Sequence, residues 1–194
     1  MTTNPILPGF HPDPSWCRVG DDYYMVTSTF TWLPGVPIFH STDLENWTQI
    51  GNVLHRPSQV SFEHTDLWAS FGIYAPTLRH HDGRFWMITT STGIDGPQNF
   101  LVTAEDPAGP WSDPVLLDFR GIDPDLAWDD EGNCWVHHSL AGTGIMRCRI
   151  DDATGDVLDE PVLTWSGTGM RFPEAPHLYR IGEWWYLMIA EGGT

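Results

Sequence analysis

One pattern occurs four times in the 194 residues and limits the folds open to the chain. The segments are "DPSWCRVGDDYYMVTS" (13–28), "APTLRHHDGRFWMITTS" (75–91), "DPDLAWDDEGNCWVHHS" (123–139) and "APHLYRIGEWWYLMIA" (175–190). Each begins with a small or acidic residue followed by proline. A strand-like run comes next, then a turn pair: Gly20-Asp21, Asp82-Gly83, Glu131-Gly132 or Gly182-Glu183. An aromatic-rich strand closes the unit. Every unit therefore reads as a β-hairpin.

The marking prolines, Pro14, Pro76, Pro124 and Pro176, are spaced by 62, 48 and 52 residues. Periods near fifty with strands inside are those of β-propeller blades, which hold about four strands each. Further strands are expected in "VPIFHS" and "NWTQIG", in "NFLVTAE" and "PVLLD", and in "GIMRCRI" and "DVLDEPVLTW". The expectation is an all-β chain, a partial propeller over 1–194. Its blades cover about 13–70, 71–120 and 121–170, with an incomplete one over 171–194. A β-sandwich is the competing architecture, and the fourfold recurrence disfavours it. About three and a half blades cannot close the ring that covers a propeller's edges, so the chain is expected to be a fragment of a longer protein.

Composition narrows the function. The formal net charge is −17, with nine arginines and no lysine, which repels nucleic acid and anionic membranes but tolerates a neutral ligand such as a sugar. Aromatics make up 13 % of the chain, with 11 Trp, and suit both strands and the flat apolar faces of sugars. Cys17, Cys134 and Cys148 are odd in number and lack metal-ligand spacing, so they read as free thiols. The start "MTTNPILPGF" lacks the regions of a signal peptide and no apolar run reaches membrane-spanning length, so the expected location is cytoplasmic.

In a propeller the first strand of each blade lines the central channel, so blade starts converge. Here they are Asp13, Ala75, Asp123 and Ala175, with Glu174 beside the last. Three acids, 110 and 51 residues apart, would meet at one mouth. The residue before a proline is biased to extended backbone, which would hold each Asp at a strand start. Two carboxyl groups flanking a glycosidic bond can hydrolyse it, one activating water and the other protonating the leaving oxygen. A third raises the acid's pKa by like-charge repulsion. Asp-Pro at 106 and 113 serves as loop punctuation instead. Phe30, Trp32 and Tyr74, beside blade starts, are candidate sugar-stacking walls. "HSTDLENW" (40–47) reads as strand-turn-strand with Trp47 packed, and the pairs His80-His81 and His137-His138 point to opposite faces and do not chelate together.

"NPILPGFHPDPSWCRVGDDYYMVTSTF", "GIYAPTLRHHDG", "DPAGPWSDP", "GIDPDLAWDDEG" and "PEAPHLYRIGEWWYLMIAEGGT" together resemble glycoside hydrolase family 43, most of all its β-xylosidase and α-L-arabinofuranosidase branch. The resemblance covers nearly the whole chain. It implies a five-bladed β-propeller and an inverting, exo-acting glycosidase that releases xylose or arabinose from small oligosaccharides. By position, Asp13 matches the general base, Asp123 the acid that tunes pKa and orients the sugar, and Glu174 the general acid. Phe30, Tyr74, Ala75 and Ile122 match the sugar pocket, with Thr194 near it. No cofactor is implied, and a structural cation such as calcium is compatible. The chain departs from the family at Asp125 and Ala127, where relatives often have Ser and Phe, and at Ala175, where Gly is common. The family's later blades, with an active-site His and Arg, would follow Thr194. A sugar-binding propeller without catalysis is the alternative. A sialidase would need an arginine cluster at the blade starts, which is absent.

Overall fold

The computed structural model describes residues 4–62, 68–93 and 96–193, and these contain strands and turns but no helix. The first sheet joins β1 (Ser15–Val19), β2 (Asp22–Val26), β3 (Gly35–Ser41) and β4 (Thr48–Leu54) in sequential antiparallel order. Short loops make neighbours in sequence neighbours in the sheet. The second sheet holds β5 (Gly72–Ile73), β6 (Thr77–His81), β7 (Arg84–Gly93), β8 (Gly96–Ala104) and β9 (Val115–Leu117). In it β5 and β6 both pair with β7, as one inner strand broken at residues 74–76. The third sheet runs β10 (Ile122–Trp128), β11 (Cys134–Leu140), β12 (Gly144–Ile150) and β13 (Val162–Trp165). A final ribbon pairs β14 (Glu174–Ile181) with β15 (Trp184–Ala190).

Three of the hairpin turns fall where the sequence puts them, at Gly20-Asp21, Asp82-Gly83 and Gly182-Glu183. The third unit differs. Its loop is 129–133, because the Asp129 carboxylate accepts hydrogen bonds from the Glu131 and Asn133 N–H groups and from the Trp135 indole. That bonding replaces a two-residue turn at Glu131-Gly132. "DVLDEPVLTW" also divides. Val157 makes an isolated bridge to Ile150 and pairing resumes at Val162, while Asp159 between them binds the Arg149 backbone and guanidinium. In "HSTDLENW" the Asp43 carboxylate caps the turn, accepting from the Glu45 and Asn46 N–H groups, and Trp47 donates to the Leu44 carbonyl.

The first strand of each sheet touches the first strand of the next: β1 meets β6, β6 meets β10, and β10 meets β14. These inner strands therefore share one side of the molecule. Between the first and second sheets lies an apolar seam of Val26, Ile38, Leu54, Ile73, Leu78 and Met87, with Trp111 closing it. Between the second and third lie Ile88, Leu101, Leu117, Leu126, Val136 and Ile150. Strands buried on both faces read as near-continuous apolar runs rather than alternations, as "FLV" in β8 does. Each such side chain contributes about 1.5–3 kcal/mol when fully buried.

Candidate active site

Asp13 sits just before β1, and its Oδ2 accepts a 2.5 Å hydrogen bond from the buried Ser28 hydroxyl at the end of β2. The Ser28 N–H also donates to the Pro12 carbonyl (3.0 Å), so both ends of the first hairpin hold this acid. Asp123 is the second residue of β10. Its Oδ2 accepts from the Ala175 N–H (3.2 Å), which ties it to the start of β14. Glu174, half-buried, opens β14, and the Ser139 hydroxyl donates to the Pro173 carbonyl just before it (2.9 Å).

The backbone at these positions is not extended as the prolines suggest. Asp13 (φ 53°), Asp123 (φ 53°) and Ala175 (φ 49°) are all left-handed, a region costly for residues other than glycine. Register shifts follow at Asp123, between Ile122 and Asp125, and at Ala175, between Glu174 and His177. The proline excludes its predecessor from the right-handed helical region, and at Asp123 and Ala175 the bulge then selects the left-handed well over the extended one. Three of the four blade starts are thus kinks, and strain of this kind clusters at functional sites. Ala75, which carries no acid, is not among the left-handed residues.

The three carboxyl groups act on one another. Burial, then the charge of Glu174 and that of Asp13, push Asp123 up to about 7, against the pull of the Ala175 N–H. Burial, then the charge of Asp13, raise Glu174 above its ordinary value. Asp123 is the deeper of the two and is shifted further. Repulsion of this kind needs proximity, so three sheets bring one acid each to a common mouth.

Of the remaining candidates, Phe30 and Tyr74 come together edge to face at 6.0 Å, and Phe10 lies 6.1 Å from Phe30. Phe30 exchanges both backbone hydrogen bonds with Ile73 (2.9 Å each), joining the first two sheets at the mouth. This needs Gly72, where a Cβ would collide with the Phe30 carbonyl. Ala75 accepts from the Thr89 hydroxyl at 3.4 Å. Ile122 pairs with Ser139 beside Asp123. Trp32 stands 70 % exposed over a hollow of about 500 Å³ that also touches Phe10, His11, Ser28 and Phe39. Thr194 lies outside the described residues. A second hollow, about 350 Å³, adjoins Glu174 and is bordered by Ser139, Met170, Arg171 and Phe172.

The model of glycosyl hydrolases family 43 matches residues 2–194, in effect the whole chain. The chain belongs to this family. A Bacteroides ovatus protein named non-reducing end alpha-L-arabinofuranosidase is 45 % identical over 192 residues, covering 98 % of this chain and 36 % of its own length. A Bacillus subtilis protein named beta-xylosidase is 42 % identical over 207 residues, covering 99 % of this chain and 38 % of its own. The crystal structure of a xylan beta-1,4-xylosidase from Bacillus halodurans superposes with a TM-score of 0.93 at 42 % identity, over 100 % of this chain and 39 % of that one. The chain thus spans a little over a third of the length of the relatives it matches. The fold is all-β and is that of the family's five-bladed propellers, represented here by two four-stranded sheets, one five-stranded sheet and a two-stranded ribbon.

Within this family-43 chain, neither Ser28 nor Arg79 stands out in the sequence, and Asp125 does so only as a departure from the family. Ser28 lacks any local signal. Asp125 stands two residues from Asp123 on the same strand. The described residues hold no group of three or more His, Cys, Asp or Glu side chains arranged to bind a metal ion. His80 and His81 pack on opposite partners, Phe85 and Trp128, as alternation along a strand requires.

Proposed function

We propose that this chain supplies the acids of an inverting, exo-acting glycosidase that releases xylose or arabinose from small oligosaccharides. Asp13 takes the proton from a water that attacks the anomeric carbon. Glu174 protonates the leaving oxygen on the opposite face. Asp123 orients the sugar, while burial and the charge of Asp13 keep the proton on Glu174. The observation that carries the reading is that three sheets each bring one carboxyl group to the same mouth, where burial and the charge of neighbouring acids raise the pKa of Asp123 and Glu174. A general acid works at neutral pH only if it keeps its proton there. Support for a sugar comes from the Phe10–Phe30–Tyr74 aromatic wall at the same mouth and from a net charge of −17, which suits a neutral substrate.

Inversion leaves room for water, so the Asp13 and Glu174 carboxyl groups are expected about 6.5–9.5 Å apart around a bound sugar. The decisive experiment assays Asp13→Asn in the full-length protein on nitrophenyl β-xyloside and α-L-arabinofuranoside. Loss of about 10²–10⁴-fold in turnover is expected from removal of a general base. Unchanged turnover would leave only a sugar-binding role. The anomeric configuration of the released sugar, followed by NMR, tests inversion directly.

A further inference from the structure

Away from the three acids, one ion pair joins three sheets. Asp125 on β10 is wholly buried. It is paired with Arg79 of β6, whose guanidinium also donates to the Leu126 carbonyl (3.0 Å) and to the Leu178 carbonyl on β14 (3.3 Å). The Leu178 N–H donates back to Asp125 Oδ2 at 2.7 Å. Both backbone groups of Leu178 are therefore gripped, one by the carboxylate and one by the guanidinium. The same guanidinium lies 5.0 Å over the Tyr179 ring. His177 Nδ1 is 3.8 Å from Asp125, but burial and then the charge of Arg79 push that imidazole down to about 4. His177 is thus neutral at pH 7, which leaves Arg79 as the cation facing Asp125.

This grip adds to the Ser139–Pro173 and Arg180–Asp130 bonds that also tie the ribbon to the third sheet. No residue of β14 or β15 belongs to either apolar seam. Asp123, within the β10 bulge, and Asp125, where the ladder resumes, accept the N–H groups of Ala175 and Leu178. Between those two points the ribbon register shifts, so a bulge separates the Glu174–Ala190 pair from the regular ladder that begins at His177–Met188. A buried charged pair binds backbone more rigidly than neutral partners, since either charge left alone would be stranded.

We propose that Arg79 and Asp125 form a positioning clamp that sets the height of β14 against β10 and so aims the Glu174 carboxyl at the leaving oxygen. The proposal rests on Glu174 being the general acid. A displaced acid hurts poor leaving groups, which need the proton, far more than good ones, which leave without it. A general loss of folded protein lowers both alike.

The test compares kcat in the full-length protein on a disaccharide or alkyl glycoside and on a dinitrophenyl glycoside of the same sugar. Asp125→Asn is expected to lose about 10²-fold on the poor leaving group, the scale of a 1 Å misplacement, with far less change on the dinitrophenyl substrate. Arg79→Met/Asp125→Leu, which strands no charge, is expected to show the same selectivity with a folded protein. Equal losses on both substrates, or none in either variant, would overturn the clamp. Glu174→Ala is the control. If it shows no leaving-group selectivity, the acid assignment fails and the clamp with it. If it does and the clamp variants do not, the clamp alone fails.

Discussion

The seams between the first three sheets and the seam that holds the ribbon are built from different materials. The former are apolar, with Ile38, Ile73, Leu78, Met87, Leu101 and Leu126 fully buried. The latter is polar: Asp123 to Ala175, Asp125 to Leu178, Ser139 to Pro173, Arg180 to Asp130. In this chain, which spans a little over a third of its relatives' length, Trp184 and Tyr186 of the ribbon are exposed while Leu178, Leu187 and Ile189 are partly buried. Apolar contact is non-directional and rewards area. Hydrogen bonds to fixed carboxylates reward geometry. Two of the three acids, Asp123 and Glu174, lie on the directional seam, where alignment rather than adhesion is needed.

Variants can break this comparison or sharpen it. The largest change in stability is expected from the apolar seam: Leu126→Ala should lose about 2–5 kcal/mol in urea unfolding, because a cavity is left in a fully buried site. A loss under 1 kcal/mol would deny that seam its role. Next comes Asp123. Folded, it keeps its proton up to about pH 7; unfolded, it loses it near 3.8. The folded state therefore binds more protons between those values, and the contribution of Asp123 is full below about pH 4 and lost as pH rises through about 7. Asp123→Asn should thus gain stability relative to the parent as pH rises from 4 to 7, on the order of 3 kcal/mol at most. A flat difference across that window would remove the raised pKa. His138 works in the opposite sense. Burial lowers it from 6.5 to about 4, so its contribution is lost as pH falls between those values, and comparing each variant with its parent separates the two.

A smaller effect sharpens the contrast. Ser139→Ala removes one hydrogen bond on the polar seam and should cost about 0.5–1.5 kcal/mol. Its loss of turnover is expected to exceed what that stability change explains, because the Pro173 carbonyl beside Glu174 is freed.

Much of the fold was legible because hairpins are local. Glycine and aspartate turns, aromatic strands and x-Pro starts lie within a few residues of one another, and β12 coincides with "GIMRCRI". The errors were local as well, at places where a side chain outcompeted the ladder. Asp129 rewrote the third turn, and Asp159 broke the strand before Val162. The kinks at Asp13, Asp123 and Ala175 could not be read from the prolines. A pre-proline residue has two permitted wells, and at Asp123 and Ala175 the bulge chooses between them.

By itself the sequence determined the repeat, the hairpins and which acids stand at blade starts, since these follow from short-range chemistry and alternation. Only the tertiary structure decided what those acids meet. Arg79 reaches Asp125 across 46 residues, Leu178 reaches it across 53, and Ala175 reaches Asp123 across 52. The raised pKa of Asp123 likewise belongs to no residue alone. It arises because packing removes water from one carboxyl group and brings the charges of two others near it.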